Sequence, residues 1–422
     1  MNHALSRWPG RLAAMVPDRP VDIAVIGAGN RSSTTYQGLF QSLRPWVNVV
    51  AVCDPVKEHA DRYADAVDAH AFHDLTDLVK ADLVEAALVI APIDVHHAIS
   101  VTLSRTGIHH LVETSISSTL WQARDMAQTA DEHGVKFRVG ENFIRFHFDR
   151  IAKEIDKTGF IGPIGRVLCV HDHPGYHNNS RWLVLYGAHP ETVQAVSHRM
   201  SVEPHWEAPH RYHEDEGFRC HFFRFPDNRL VTDLAGNLKG MLGRYPRPGY
   251  TELAGTRGTI ARAAMEHRHG AGEVRWCSDD ALRNGARHDH VFPIEHVVED
   301  GQWICDRVEL PIGPVEFRNP NQLAVSHPRA HSLSSVVSHV TDFANEVRGS
   351  DHCEFTPADA VMSMEMEVGC RESALRNGEE IPLPLADLNI EAERRVWDEL
   401  RVRHGVDPHD AEAMMSIMIA RP

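Results

Sequence analysis

The 422-residue chain lacks long apolar runs. No segment approaches the roughly 18 consecutive apolar residues that a membrane-spanning helix needs. Residues 1–20 contain only a short apolar run, which does not resemble the core of a signal peptide, so we interpret them as an N-terminal extension. These absences predict a protein without a membrane partner.

Clusters of basic residues and paired cysteines are also absent. The formal net charge of −16 argues against a nucleic-acid partner, because nucleic acids are bound through clustered Lys and Arg. The cysteines are scattered and form no CxxC pair, which indicates unpaired thiols and gives no zinc-site spacing. We therefore predict a cytoplasmic protein that binds a small molecule.

A glycine motif follows the first apolar strand. The sequence VDIAVIGAGNRSS places Gly27 and Gly29 directly after a β-branched run, with Asn30 and Arg31 opening a helix. Ser32 stands where the G-x-G-x-x-G fingerprint has its third glycine, and it is small enough for close packing of helix and strand. This arrangement predicts a turn that presents backbone amides to the pyrophosphate of a dinucleotide.

An acidic residue ends the second apolar strand. Asp54 follows NVVAVC and lies 27 residues after Gly27, where a carboxylate accepts hydrogen bonds from the adenosine ribose and repels a 2′-phosphate. This position favours NAD over NADP. Two alternatives stay open: Arg31 could accommodate a 2′-phosphate, and Asp54 could instead cap the helix that Pro55 begins.

Strands and helices alternate up to about residue 142. This rhythm predicts an α/β domain with a doubly wound parallel sheet, the Rossmann arrangement. Glu113 and Asn142 come at the carboxyl ends of predicted strands, where such sheets bind ligands. We therefore expect both residues to line the cofactor site.

The motifs GAGNR, AVCDP, APIDVHHAIS and GIHHLVETS occur in an order that resembles the Gfo/Idh/MocA oxidoreductase family. The resemblance extends through LAGTRGTI to about residue 385. It implies a Rossmann domain at 21–142, then an α/β substrate domain at 143–385 with a large, mainly antiparallel open sheet. The family often uses that sheet in a homo-oligomer, so a dimer or tetramer is expected. A helical tail at 386–422 has no counterpart that we identify.

The resemblance fails at two family motifs. The E-K-P motif reads Glu113-Thr114-Ser115 here, so Thr114 replaces the lysine that lies beside the nicotinamide in the family. A threonine hydroxyl can form a hydrogen bond, but it is too weak an acid to serve as a general base near neutral pH. In the second domain, the D-x-G-x-H motif aligns with His173 to His177, so His177 takes the catalytic histidine's place and His173 replaces the aspartate.

Three histidines therefore crowd residues 171–177, and three interpretations of them compete. His171, His173 and His177 could bind zinc, although no acidic or cysteine ligand accompanies them at a convincing spacing. They could also have no role in a chain with 30 histidines. Acid/base chemistry by His177 is the preferred interpretation, because a histidine can accept and return a proton near neutral pH. We predict no metal.

Further site residues are implied by the resemblance, each with a structural alternative. Tyr176 could donate a hydrogen bond to a substrate oxygen or simply pack. Arg181 could bind a polar or acidic substrate group or remain solvated at a helix start. Pro92 and His96 match the T-P-x-x-x-H element that flanks the nicotinamide, although His96 could equally cap or pack.

Three functions are consistent with these residues. The first is an NAD-dependent oxidoreductase acting on a sugar, cyclitol or similar polyol, with NADP as a possible cofactor. The second is an NAD-dependent glycosidase that oxidises a sugar hydroxyl transiently and eliminates the aglycone; some such relatives also lack the lysine. The third is a non-enzymatic NAD-binding sensor, which the retained G-x-H motif disfavours.

Overall fold

The computed structural model describes residues 15–170, 176–208, 211–236, 250–263, 272–285, 288–324 and 330–419. The chain divides into two compact units. The first contains residues 1–142, 320–364 and 388–422, and the second contains 143–319 and 365–387. No helix within the described ranges is long and apolar enough to cross a membrane.

The first unit is built on a six-stranded parallel sheet with the order β3-β2-β1-β4-β5-β6. Short apolar runs form its strands because both faces of the sheet are covered. The strands are β1 (Val21–Ile26), β2 (Val47–Cys53), β3 (His70–Phe72), β4 (Ala86–Val89), β5 (His109–Val112) and β6 (Phe137–Val139). The strand order reverses between β1 and β4, which creates the crevice where such sheets bind ligands.

The second unit contains an eleven-stranded sheet with the order β16-β15-β14-β13-β12-β11-β7-β10-β9-β8-β17. The pair β7 and β10 is parallel, whereas the other registered pairs are antiparallel. The strands are β7 (Ile164–Val170), β8 (Thr192–Ala208), β9 (Arg211–Phe225), β10 (Arg229–Gly236), β11 (Tyr250–Gly255), β12 (Gly258–Ala263), β13 (Glu273–Trp276), β14 (His290–Glu299), β15 (Gln302–Leu310), β16 (Gly313–Ala324) and β17 (Ile381–Pro382).

Twelve α-helices lie in the described ranges. They are α1 (Phe40–Leu43), α2 (Lys57–Val67), α3 (Leu75–Lys80), α4 (His96–Arg105), α5 (Leu120–Glu132), α6 (His147–Lys157), α7 (Tyr176–Tyr186), α8 (Asp279–Asn284), α9 (Ala330–Val347), α10 (Pro357–Leu375), α11 (Glu391–His404) and α12 (Ala411–Ile419). Helix α5 shows how local sequence fixes an element, because Thr119 and Gln122 form a capping box at its start.

The predicted fold class is confirmed, whereas the structure divides the chain differently from the predicted contiguous domains. Helix α9 was expected within the second domain, but it packs on the Rossmann core through Val336, Val340 and Phe343. The apolar face of α9 covers the sheet and excludes water from it, which places residues 320–364 in the first unit. The tail from 388 also belongs to that unit.

Candidate cofactor and active site

The glycine turn lies at the carboxyl edge of the parallel sheet. Gly27 has a φ of +97°, and a Cβ added there would come within 2.5 Å of the Ile90 carbonyl oxygen. The Gly27 N–H donates to the Cys53 carbonyl at 2.8 Å. The turn is therefore fixed between the ends of β2 and β4, and only glycine fits at residue 27.

The next glycine faces open space. A Cβ added at Gly29 meets no heavy atom within 4 Å, so the backbone there is accessible from outside the turn. Asn30 is exposed, and a helical segment follows from Ser32 as a π-helical turn, a 3-10 turn and then α1. The space beside Gly29 fits the close approach of a pyrophosphate that the motif predicts.

Asp54 connects the end of β2 to the glycine turn. Its Oδ2 accepts the Ala28 N–H at 2.7 Å, and its Oδ1 accepts the Val56 N–H at 2.9 Å. The side chain is buried. Asp54 therefore holds the turn and also the start of the segment that leads into α2, so it has a structural role in addition to its predicted role at the ribose.

Arg31 points to a different part of the sheet from the one predicted. Its Nε and Nη2 both lie 2.8 Å from Glu113 Oε1, just after β5. In the strand order β2-β1-β4-β5, this position lies on the opposite side of β1 from Asp54. The suggestion that Arg31 accommodates a 2′-phosphate beside Asp54 therefore competes with the ion pair between its guanidinium and the Glu113 carboxylate.

Glu113 is the centre of a buried network. Besides Arg31, its Oε1 accepts the Tyr36 hydroxyl at 2.7 Å, and that hydroxyl also lies 3.2 Å from His339 Nε2. Burial, followed by the charge of Glu113, raises the pKa of Tyr36 well above its ordinary value, so Tyr36 remains a neutral donor. The carboxylate of Glu113 is thus held by the side chains of Arg31 and Tyr36, which both belong to the helical segment after the glycine turn.

Thr114 follows Glu113 and is partly exposed. Its N–H donates to Glu113 Oε2 at 3.0 Å, and its hydroxyl lies 3.4 Å from the same oxygen. Thr114 therefore places a neutral hydroxyl beside an anchored carboxylate, where the resemblance expects an ammonium group.

His96 connects the loops that follow β4 and β5. Its Nε2 lies 2.9 Å from the Ala91 carbonyl oxygen, and its Nδ1 lies 3.0 Å from that of Ser115. The ring is fully buried, and burial lowers the pKa of His96 despite these carbonyl contacts. Pro92, in contrast, is exposed. Of the two alternatives stated for His96, packing agrees with this environment.

Asn142 follows β6 and carries a buried acceptor. The residue is 9% exposed, and its Oδ1 has no hydrogen-bond partner among the described residues. Its backbone N–H donates to Glu141 Oε1 at 3.0 Å. A buried carbonyl oxygen without a donor is costly, so its presence at the ligand-binding edge fits a bound polar group such as the carboxamide of a nicotinamide.

In the second unit, His177 lies in the first turn of α7. Its ring contacts those of Phe143 and Tyr176, with centroids 4.5 and 4.2 Å apart. His171 and His173 lie outside the described residues, so the crowded histidine segment is described only from Tyr176 onward. Within the described ranges, no three His, Cys, Asp or Glu residues form a group that could hold a metal ion.

Arg181 does not have the solvated environment that was one alternative. It is 3% exposed, and its Nε donates to both oxygens of Asp149, at 3.0 and 3.2 Å. Its Nη1 donates to Asn178 Oδ1 at 3.2 Å. The buried ion pair fastens α7 to α6, because separating its charges would leave each without compensation. The suggested substrate role of Arg181 competes with this structural role.

Sequence reasoning missed Tyr36, His339 and Asp94. Tyr36 and His339 are 303 positions apart, so no local pattern could join them. Asp94 lies within the APIDVHHAIS motif but accepts hydrogen bonds from the tail, which has no recognisable motif. Only the observation that Asp94 follows a strand end could have indicated it.

Comparison with known proteins identifies the first domain. Residues 21–141 match the family model described as "Oxidoreductase family, NAD-binding Rossmann fold". The chain is 28% identical over 146 residues to the 2,7-anhydro-N-acetylneuraminate hydratase of Mediterraneibacter gnavus, which covers 35% of this chain and 38% of the hydratase. It is 26% identical over 190 residues to the inositol 2-dehydrogenase of Salmonella typhimurium, with 44% and 52% covered. The chain thus matches about half or less of these relatives' lengths.

The fold comparison covers more of the chain. The WlbA dehydrogenase from Bordetella pertussis, solved in complex with NADH and UDP-GlcNAcA, superposes with a TM-score of 0.59 and 18% identity. The superposition covers 88% of this chain and all of that one. At this level of identity the likeness extends to the fold.

Proposed function

We propose that this chain, which belongs to the Gfo/Idh/MocA oxidoreductase family through residues 21–141, is an NAD-dependent oxidoreductase acting on a sugar, cyclitol or similar polyol. The family match confirms the predicted resemblance and the NAD cofactor. The substrate class is our inference from the family and from the site residues.

One observation carries the proposal: Asp54 accepts the Ala28 N–H at 2.7 Å within the glycine turn. This hydrogen bond places a carboxylate beside the turn that would receive the pyrophosphate. A negative charge there disfavours a 2′-phosphate, and Arg31 is engaged by Glu113 instead. Both facts support NAD rather than NADP.

The nicotinamide would be held by residues at the ends of β5 and β6. Asn142 Oδ1 offers an acceptor for the carboxamide, and Glu113 is anchored to receive a hydrogen bond through its second oxygen. Thr114 supplies a hydroxyl beside them. The Thr114 hydroxyl can position and polarise a substrate oxygen, but it is too weak an acid to replace the proton-transfer function of a lysine.

Proton transfer is therefore assigned to the second unit. Bound NAD supplies the hydride acceptor. His177 would take the proton of the reacting hydroxyl, while the carbinol carbon would give up a hydride to the nucleotide and become a carbonyl. Tyr176 orients the same oxygen by a hydrogen bond. The position of His173 in this scheme follows from the motif alignment alone.

A second candidate is an NAD-dependent glycosidase. The replacement of the family lysine by Thr114 favours it, and so does the similarity to a relative whose name indicates addition or removal of water. In that chemistry oxidation of one sugar carbon would acidify the neighbouring C–H, and loss of that proton would expel the aglycone. Water would then add at the carbon that the aglycone left, the neighbouring carbon would regain a proton, and hydride would return to the sugar. The net reaction leaves the NAD pool unchanged.

The two reactions differ in what accumulates. Purified protein is incubated with a panel of polyols and glycosides while released aglycone and NADH are both followed. Accumulation of NADH supports the dehydrogenase, and aglycone release without it supports the glycosidase. Saturable NAD binding without turnover of any panel member would favour the third candidate, a non-enzymatic sensor.

We propose a cytoplasmic homo-oligomer, a dimer or tetramer, whose partner is a small-molecule substrate. Light scattering of the purified protein measures the assembly, and a monomer at micromolar concentration contradicts it.

A further inference from the structure

The C-terminal segment 391–409 contacts both loops at the carboxyl edge of the first sheet. Asp94, in the loop after β4, accepts a hydrogen bond from Arg403 Nη1 at 2.8 Å and lies 3.0 Å from His404 Nε2. Asp94 also accepts the Ser118 hydroxyl, from the loop after β5, at 3.2 Å. One carboxylate thus joins two ligand-edge loops to α11.

The surroundings of Asp94 favour its ionised form. Burial alone would raise the pKa of Asp94, but the hydrogen bonds from Arg403 and His404 hold it below its ordinary value. His404 is almost completely buried in the contact. The carboxylate is therefore ionised at neutral pH and strongly held, because hydrogen bonds between charged groups are shorter and stronger than neutral ones.

The same segment also secures the start of α5. Both oxygens of Glu393 accept the Leu120 N–H, at 3.1 and 3.0 Å, and Glu393 is buried. The Pro408 carbonyl oxygen accepts a hydrogen bond from Gln122 Nε2 at 2.8 Å. The His409 ring stacks on the Trp121 ring, with the ring centroids 4.2 Å apart. A carboxylate at a helix N-terminus satisfies amides that have no partner within the helix.

The same two loops are also joined by His96, whose ring lies beside the carbonyl oxygens of Ala91 and Ser115. Loops at a sheet edge open more easily than the strands that carry them, because fewer buried contacts hold them. A binding site built on loops gains affinity when the loops are held in the bound arrangement beforehand.

We propose that α11 is a positioning element for the cofactor site, and that Asp94, through its pair with Arg403, holds the loops after β4 and β5 in the arrangement that receives the nicotinamide half of NAD. Asp94 is a positioning residue, because it acts through the loops. This inference rests on the proposed function.

The test compares NAD affinity, measured calorimetrically, in wild type, Arg403→Ala, Asp94→Asn and the double variant. The matched control is Arg394→Ala, on the same helix, because the Arg394 side chain is 58% exposed and pairs with Glu391. Each single variant should weaken NAD binding roughly fivefold or more, the lower end of ordinary coupling between sites. The double variant should lose no more than Asp94→Asn alone, because Asp94 also contacts His404 and Ser118, and Arg403→Lys should recover part of the loss.

Wild-type affinity in Arg403→Ala, or additive losses in the double variant, overturns the inference. If a variant melts near the assay temperature, Arg403→Lys decides, because it retains the charge: affinity as low as in Arg403→Ala overturns the proposal, and partial recovery supports it. Absence of NAD binding by wild type would instead overturn the proposed function, so the two failures are distinguishable.

Discussion

Asp54 Oδ2 lies 2.7 Å from the backbone nitrogen of Ala28, so the residue expected to recognise the adenosine ribose also supports the glycine turn. Its other oxygen accepts the Val56 N–H. The alternative that Asp54 caps a helix beginning at Pro55 is wrong, because α2 begins at Lys57 with Val56 as its N-cap. The structural role of Asp54 is to hold the glycine turn and the Val56 N–H, and its contact with the ribose stays a prediction. A change at Asp54 is therefore expected to alter the selectivity for NAD over NADP.

Replacing Asp54 by Asn should reduce selectivity. The amide keeps one acceptor oxygen, so only one of the two N–H groups remains satisfied, and the charge that repels a 2′-phosphate is lost. We expect the ratio of the NADP and NAD dissociation constants to fall roughly tenfold, about 1.4 kcal/mol. Calorimetric titration with both nucleotides measures it. Asp22→Asn is the control, because Asp22 lies at the opposite end of β1.

The two glycines of the turn should respond differently to substitution. Gly27→Ala places a methyl group against the Ile90 carbonyl at a positive φ and should lower the free energy of unfolding by about 1–3 kcal/mol. Gly29→Val extends into open space, so it should leave stability nearly unchanged while abolishing nucleotide binding. Denaturant titration and calorimetry separate the two effects. A destabilised Gly29→Val would contradict the assignment of that space to ligand.

The sequence predicted the first sheet well because buried parallel strands produce short apolar runs, and the ends of those runs locate the ligand edge. Gly27, Asp54 and Glu113 all follow directly from this rule. The partner of Arg31 could not be predicted, because a flexible side chain chooses among charges that the fold brings together. Glu113 lies 82 positions away in the sequence.

Domain membership was predicted less well, for a related reason. An amphipathic helix shows which of its faces is apolar but not which sheet that face will cover. Helix α9 therefore looked like part of the second domain, although Val340 and Phe343 pack in the core of the first. The tail likewise had helical periodicity without any sign that Glu393 would cap α5.

The proposed proton transfer can be tested by comparing His177 with Thr114. His177→Ala should lower turnover by ~10²–10⁴, the usual effect of losing a general acid or base, and should leave NAD affinity unchanged. Thr114→Ala should raise the activation free energy of turnover by about the value of one hydrogen bond, ~0.5–1.5 kcal/mol. The control His189→Ala removes an exposed histidine of the same unit. Near-full turnover of His177→Ala, with Thr114→Ala inactive, would assign the proton to the first unit.

Acid should weaken the first unit through Glu85. The hydrogen bond from Arg348, chiefly, together with those from Asp22 N–H and Arg19, lowers the pKa of Glu85 from 4.5 to about 2 against the opposing effect of burial. A lowered pKa stabilises the fold above the ordinary carboxyl pKa, and this contribution is lost as pH falls from about 4.5 toward 2. Melting temperatures of wild type should fall more steeply over that range than those of Glu85→Gln. If the melting temperatures of the two proteins fell in parallel with pH, Glu85 would contribute nothing to the acid sensitivity of the fold.

Hydride transfer to NAD is the central claim, and isotope labelling tests it most directly. A polyol or glycoside that the protein turns over is labelled with deuterium at the reacting carbinol carbon, and the bound nucleotide is analysed by mass spectrometry during rapidly quenched turnover. Our account predicts deuterium in the reduced nucleotide, whether the hydride leaves permanently or returns to the sugar. Turnover of the labelled substrate without any deuterium in the nucleotide would contradict it.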